Sequence, residues 1–137
     1  MFKRLNQRAK NYLILQAIGM SMGTFTHIQW ILKNGFLSEK YNASIWSTIF
    51  WDSLTLLDPL AAILLVVKPK SGLYLTLLII LADVIHNNIF YWQELYLNPP
   101  QPLEWIKQYW MILGQIIFAL FVCLTFKYNV NKVDELS

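Results

Sequence analysis

Residues 47–67 read STIFWDSLTLLDPLAAILLVV; after the breaker KPKSG at 68–72, residues 73–92 read LYLTLLIILADVIHNNIFYW. Each apolar run matches the roughly 20 residues that a helix needs to cross the hydrocarbon core of a bilayer. Two further runs flank this pair, Tyr12 to Leu32 and Tyr109 to Phe126. The chain therefore reads as an all-α, polytopic membrane protein. It is a single domain over 1–137, with four transmembrane helices at about 12–32, 47–67, 73–92 and 109–126 packed as a bundle. In the third connection, Asn98-Pro99-Pro100-Gln101-Pro102 forbids a continuing helix, because proline lacks the N–H donor and restricts the residue before it.

Composition agrees with this reading. The 137 residues are 56% hydrophobic and 15% aromatic, with a mean hydropathy of +0.41. Only 14% are charged, against about 25% in a soluble domain. Cys123 is the only cysteine, which excludes an internal disulfide framework and a Cys-rich zinc site. No repeat, low-complexity tract or Gly-rich phosphate loop is present. A basic segment precedes the first apolar run, as in a signal peptide. No small-residue cleavage pattern closes that run, so it reads as a mature span.

Lys and Arg outside the spans give the orientation. Lys3, Arg4, Arg8, Lys10, Lys68, Lys70, Lys127 and Lys132 share one side, and Lys33, Lys40 and Lys107 the other. Both termini are expected to face the cytoplasm, in the inner membrane of a bacterium or the endoplasmic reticulum of a eukaryote. The net charge of +3 is then a topology signal and not a mark of nucleic-acid binding. All six tryptophans fall near the outward ends of spans or in outward loops. The bias suits either an aromatic belt or an outward aromatic cavity.

The informative residues are polar ones inside the spans: His27, Asp52, Asp58, Asp83, His86, Asn87 and Gln115. An aspartate at a span centre costs about 2.5–3.5 kcal/mol on insertion scales, so its default reading is function with a partner. The bland alternative is that these groups only hold helices together. His27, Asp52, His86 and Gln115 each stand about 8–9 Å below the outward boundary at 1.5 Å per residue. Asp83, His86 and Asn87 share one helix face at i, i+3 and i+4, so Asp83 is expected to accept a hydrogen bond from His86 or Asn87. Pro59 leaves the Thr55 carbonyl without its helical donor, a gap that Asp58 or the Thr55 hydroxyl is expected to fill. A carboxyl and an imidazole in low dielectric suit proton transfer to and from an apolar substrate. A carboxylate facing an aromatic wall suits a cation. Metal is disfavoured, because only one Asp-x-x-His is present where di-metal bundles use paired Glu-x-x-His motifs. No metal and no cofactor are expected.

Several of these residues carry a family resemblance. Phe25-Thr26-His27-Ile28, Asp52-Ser53-Leu54-Thr55 with Asp58-Pro59-Leu60, the short basic turn, the third span with Asp83 and His86, and Gln115 together resemble the EXPERA-domain family. Those are four-helix membrane proteins that include a sterol isomerase and the sigma-two receptor. The resemblance runs from about Phe25 to Phe126. It departs at Ile31, where the isomerase has a glutamate one turn after the histidine, and at Asp52, which is shorter than the family's glutamate. It implies an intramembrane cavity for a sterol-like or cationic amphiphile, and an isomerisation in which a double bond is protonated and a proton is lost elsewhere. On that basis His27 and Asp52 are the first candidates for proton transfer and Asp83 and His86 for its relay. Trp51 and Trp110 would form the cation wall, and Asp58, Asn87 and Gln115 would contact the ligand. The partners are a membrane lipid or amphiphile and, as an option, a second copy of the chain; nucleic acid is not among them. The competing function is a small proton-linked transport or accessory subunit, and a third is a purely structural membrane protein.

Overall fold

The computed structural model describes residues 2–136. Four long helices make the fold: α1 (Gln7–Asn34), α2 (Ile45–Val67), α3 (Pro69–Phe90) and α4 (Pro102–Asp134). The described residues contain no strand. The helices run up and down, with α2 packed between α1 and α3, and α4 packed against α3 and also touching α1.

Helices α2, α3 and α4 are long and apolar enough to cross a membrane. At 28 residues, or about 42 Å, α1 has the length. Its apolar run, however, is broken by Gln16, Ser21, Thr24, Thr26, His27 and Gln29. Three of these side chains are satisfied within the helix. The hydroxyls of Ser21, Thr24 and Thr26 donate to the carbonyls of Ala17, Met20 and Gly23 at 2.8, 3.0 and 2.8 Å.

The ends of the helices follow from local chemistry. Asn6 caps α1, its side-chain oxygen accepting the Ala9 N–H at 2.8 Å. Gly35, at φ 92°, closes that helix in a backbone region that favours glycine. Ser44 caps α2, and Pro69 and Pro102 occupy the first positions of α3 and α4, where the missing N–H costs nothing.

The expected loop at 68–72 contracts to Lys68 alone, because Pro69 starts α3 directly. Gly72 makes the sharp reversal possible: a Cβ there would fall on the backbone of Leu64 and Leu65. Helix α4 extends well beyond the apolar run 109–126, since the helix follows backbone hydrogen bonding while the run marks only its apolar part. Pro59 lies within α2 as expected, but the gap it leaves is not filled as expected. The Thr55 hydroxyl has no hydrogen-bond partner, and Asp58 makes no hydrogen bond among the described residues.

The core is layered along the bundle. At the end that carries both termini, Leu5, Ala9, Leu13, Leu65, Leu73 and Val133 pack together. Nearer the other end Met20, Trp51, Leu54, Ala61 and Ile79 form a second layer, beside Ile80, Ala119 and Val122. Polar groups lie between and above these layers.

Candidate functional site

Asp52, two turns into α2, is buried, and its carboxylate is turned toward the α1–α2 loop. One oxygen accepts the Leu37 backbone N–H at 2.6 Å and the other the Tyr41 hydroxyl at 2.8 Å. Leu37 has φ 51°, a left-handed conformation that is rare for leucine, and the bond from Asp52 holds it there. Tyr41 is clasped between Trp30 and Trp51, with ring centroids 4.8 and 5.0 Å away. Burial first, then the hydrogen bond to Asp52, pushes the Tyr41 phenol above its ordinary value of 10.0. His27 is half-buried and within electrostatic reach of Asp52 but makes no hydrogen bond to it.

A second group joins three helices. The Trp51 indole N–H donates to Asn87 Oδ1 at 2.8 Å, and Asn87 Nδ2 donates to Asp83 Oδ1 and to Gln115 Oε1, both at 2.9 Å. Asn87 is thus the hub linking α2, α3 and α4, and each partner satisfies a polar atom that would otherwise be orphaned in low dielectric. The expected bond from Asn87 to Asp83 is present, and the alternative from His86 is not. His86 instead packs against Phe50 and Trp51, centroids 4.6 and 5.2 Å away, with its Nε2 unpartnered. Spacing alone could not separate these outcomes, because i+3 and i+4 neighbours both lie on the face.

Asp58 stands apart. It is 4% exposed, has no hydrogen bond among the described residues, and lies within electrostatic reach of Asp83. Its carboxyl presses against α1 at Gly23, where a Cβ would come within 2.5 Å of Oδ2. Glycine is what lets the α1 backbone approach this carboxyl.

The aromatic residues divide. Trp51 is buried, Trp30 and Trp105 are half-buried, and Trp46, Trp92 and Trp110 face outward. The inward rings meet edge to face, Trp51 against Phe90 at 4.9 Å and Phe90 against Tyr91 at 4.8 Å. Trp110, expected on the cation wall, is 61% exposed and away from the carboxyl groups. Two surface concavities of about 480 and 490 Å³ lie elsewhere. One is at Ile89–Glu94, and the other runs along α1 from Ile14 to Thr26 with Val66. None of the nine expected site residues lines either. Among the described residues no three His, Cys, Asp or Glu side chains gather as a metal set.

Sequence reading missed Tyr41 and a buried polar set lower in the bundle: Gln16, Thr76, Thr125 and Asn129. A signal for the latter was present. Ala9, Leu13, Gln16 and Met20 follow the spacing of a buried stripe, and so do Val122, Thr125, Asn129 and Val133. Comparison with known protein families, curated proteins and solved structures finds no match to the chain. The EXPERA-like features are therefore a resemblance carried by the quoted motifs alone.

Proposed function

We propose that this chain is an integral membrane protein of four spans, with both termini on the cytoplasmic side, that binds an amphiphilic ligand of sterol-like or cationic character inside its bundle. The observation that carries this reading is Asp58, a buried carboxyl without a hydrogen-bond partner that lies within electrostatic reach of a second carboxyl, Asp83. A charge buried without a partner is strongly unfavourable, so this pair calls for a cationic group or a proton between its members. The ammonium of an amphiphile entering from the lipid meets that need. The internally bonded hydroxyls of α1 support its place as a fourth span, because Ser21, Thr24 and Thr26 need no partner from lipid.

In the isomerase form of this reading, Asp58 and Asp83 exchange protons with the ligand. Asp52 is less suited to that exchange, since both its oxygens are engaged by the loop.

The test is mass spectrometry of small molecules that co-purify with the protein in native lipid particles, with Asp58→Asn as control. A stoichiometric amine-bearing or sterol-like compound is expected from the wild type, at least tenfold depleted in a variant of equal thermal stability. Only bulk lipid in both samples would overturn the reading. It would transfer support to a proton-linked transport or accessory subunit. A specific observation favours that alternative: the buried polar groups occupy more than one depth, with Gln16, Thr76 and Asn129 lying inward of Asp58.

A further inference from the structure

The set formed by Gln16, Thr76, Thr125 and Asn129 is buried within about one helical turn of the bundle, Thr125 and Asn129 being successive turns of α4. Leu13, Leu73 and Val133 pack in a single core cluster, and Gln16, Thr76 and Asn129 each stand one helical turn further along their helices from those residues. Gln16 Nε2 donates to Thr125 Oγ1 at 3.1 Å across α1 and α4, and the rings of Tyr74 and Phe126, 5.1 Å apart, fix α3 beside α4 at this level. Gln16, Thr76 and Asn129 are each 0% exposed, and Thr125 is 8% exposed. Four polar atoms here have no partner: Gln16 Oε1, Thr76 Oγ1, and both Oδ1 and Nδ2 of Asn129. Apolar residues flank the site on both sides, Leu13, Leu65 and Leu73 toward the termini and Met20 and Val122 on the other.

Buried polar side chains are paired in the large majority of cases, and an orphaned one costs about 1–3 kcal/mol. Four such atoms on three helices, within about a turn of one another, define a ligand by their chemistry. Two are pure acceptors, one is a pure donor and one is a hydroxyl, so the ligand must both donate and accept. None of the four side chains is charged, so nothing there recognises an ion. We propose that this set is a binding site for buried water, one or two molecules bridging Gln16, Thr76 and Asn129. Ordered water in proteins makes about three hydrogen bonds to groups of this kind. The hairpin register is set by Gly72 against Leu65 and Trp51 against Asn87. In that register Thr76 stands level with Ala61, one turn inward of Asp58 and about 5 Å away along the axis. The water site is independent of whether an amphiphile or a proton occupies Asp58.

The test is solution NMR of the full chain in lipid nanodiscs, with side-chain amide nitrogens labelled and Asn129 assigned through its contacts with Val133. Direct cross-peaks between the Asn129 side-chain amide and water are expected in the wild type, persisting in Thr76→Ser and losing at least half their intensity in Thr76→Val. Absence of the cross-peak in the folded wild-type protein would overturn the proposal. So would a Thr76→Val protein that melts higher than wild type, because removing an orphaned hydroxyl from a dry site relieves a penalty. If Thr76→Val fails to fold, the wild-type cross-peak still decides.

Discussion

At Asp52 the carboxylate links the backbone of the α1–α2 loop to a tyrosine held between two indoles, and the loop's shape rests on that one side chain. Hydrogen bonds to a charged group contribute about 1.5–3 kcal/mol, and neutral ones about 1 kcal/mol. Asp52→Ala is therefore expected to destabilise the protein by about 2–3 kcal/mol and to expose the loop to proteolysis at Lys40, whereas Tyr41→Phe should cost about 1 kcal/mol. Thermal unfolding and limited proteolysis of both variants check this order; equal effects would mean that the Leu37 bond contributes nothing. The pH dependence has a definite sign. The folded-state value of Tyr41 is raised, so its contribution is complete below pH 10.0, its ordinary value, and is lost as pH rises through the higher folded value. Absorbance titration of phenolate should show one fewer late-ionising tyrosine in Tyr41→Phe than in the wild type.

Helix-scale behaviour is set where backbones meet. The α2–α3 reversal has one connecting residue, and at Gly72 the first turn of α3 rests on the last turn of α2. A side chain there has no room, and the obstacle is backbone, which cannot rotate away. Gly72→Ala is expected to cost at least the 1–3 kcal/mol typical of overpacking. Gly114 offers the matched control, because a Cβ there meets nothing within 4 Å. Gly114→Ala should be neutral or stabilising by about 0.5–1 kcal/mol through helix propensity. Thermal unfolding of the two variants measures the difference; similar midpoints would mean that the hairpin is looser than its close approach implies. Lys70 pairs with Asp134 at 2.7 Å across α3 and α4, but an exposed pair contributes little beside these packing terms.

For the molecule as a whole, the open question is the path of α1. Three helices have the apolar length to cross, and the fourth has the length with a mixed composition. In a Cys123→Ser background, single cysteines at Gln7→Cys and Ser71→Cys are expected to react with an impermeant thiol reagent from the cytoplasmic side only. Those at Ser38→Cys and Asn98→Cys should react from the other side only. Labelling of Gln7→Cys from the same side as Ser38→Cys would place α1 on the membrane surface and remove the four-span topology.

The amino-acid sequence by itself determined the helical class, a break beginning at Lys68 and another in Asn98–Pro102, and the presence of aspartates within apolar runs. Those features are written in local chemistry: apolar run length, proline's missing donor and the cost of a charge in lipid. Tertiary structure alone decided what each polar group does, because a partner on another helix has no signature at fixed spacing. Asp52 and Asp58 are six residues apart on α2, yet one is bound by Leu37 and Tyr41 and the other is left within electrostatic reach of Asp83. Asn87 prevailed over His86 at Asp83 because the Trp51 indole and Gln115 also converge on its amide, while aromatic rings drew His86 away. Gln16 and Asn129 carry a trace of their burial in the stripe spacing of their own helices, but that they and Thr76 are buried together was decided only when three helices were packed.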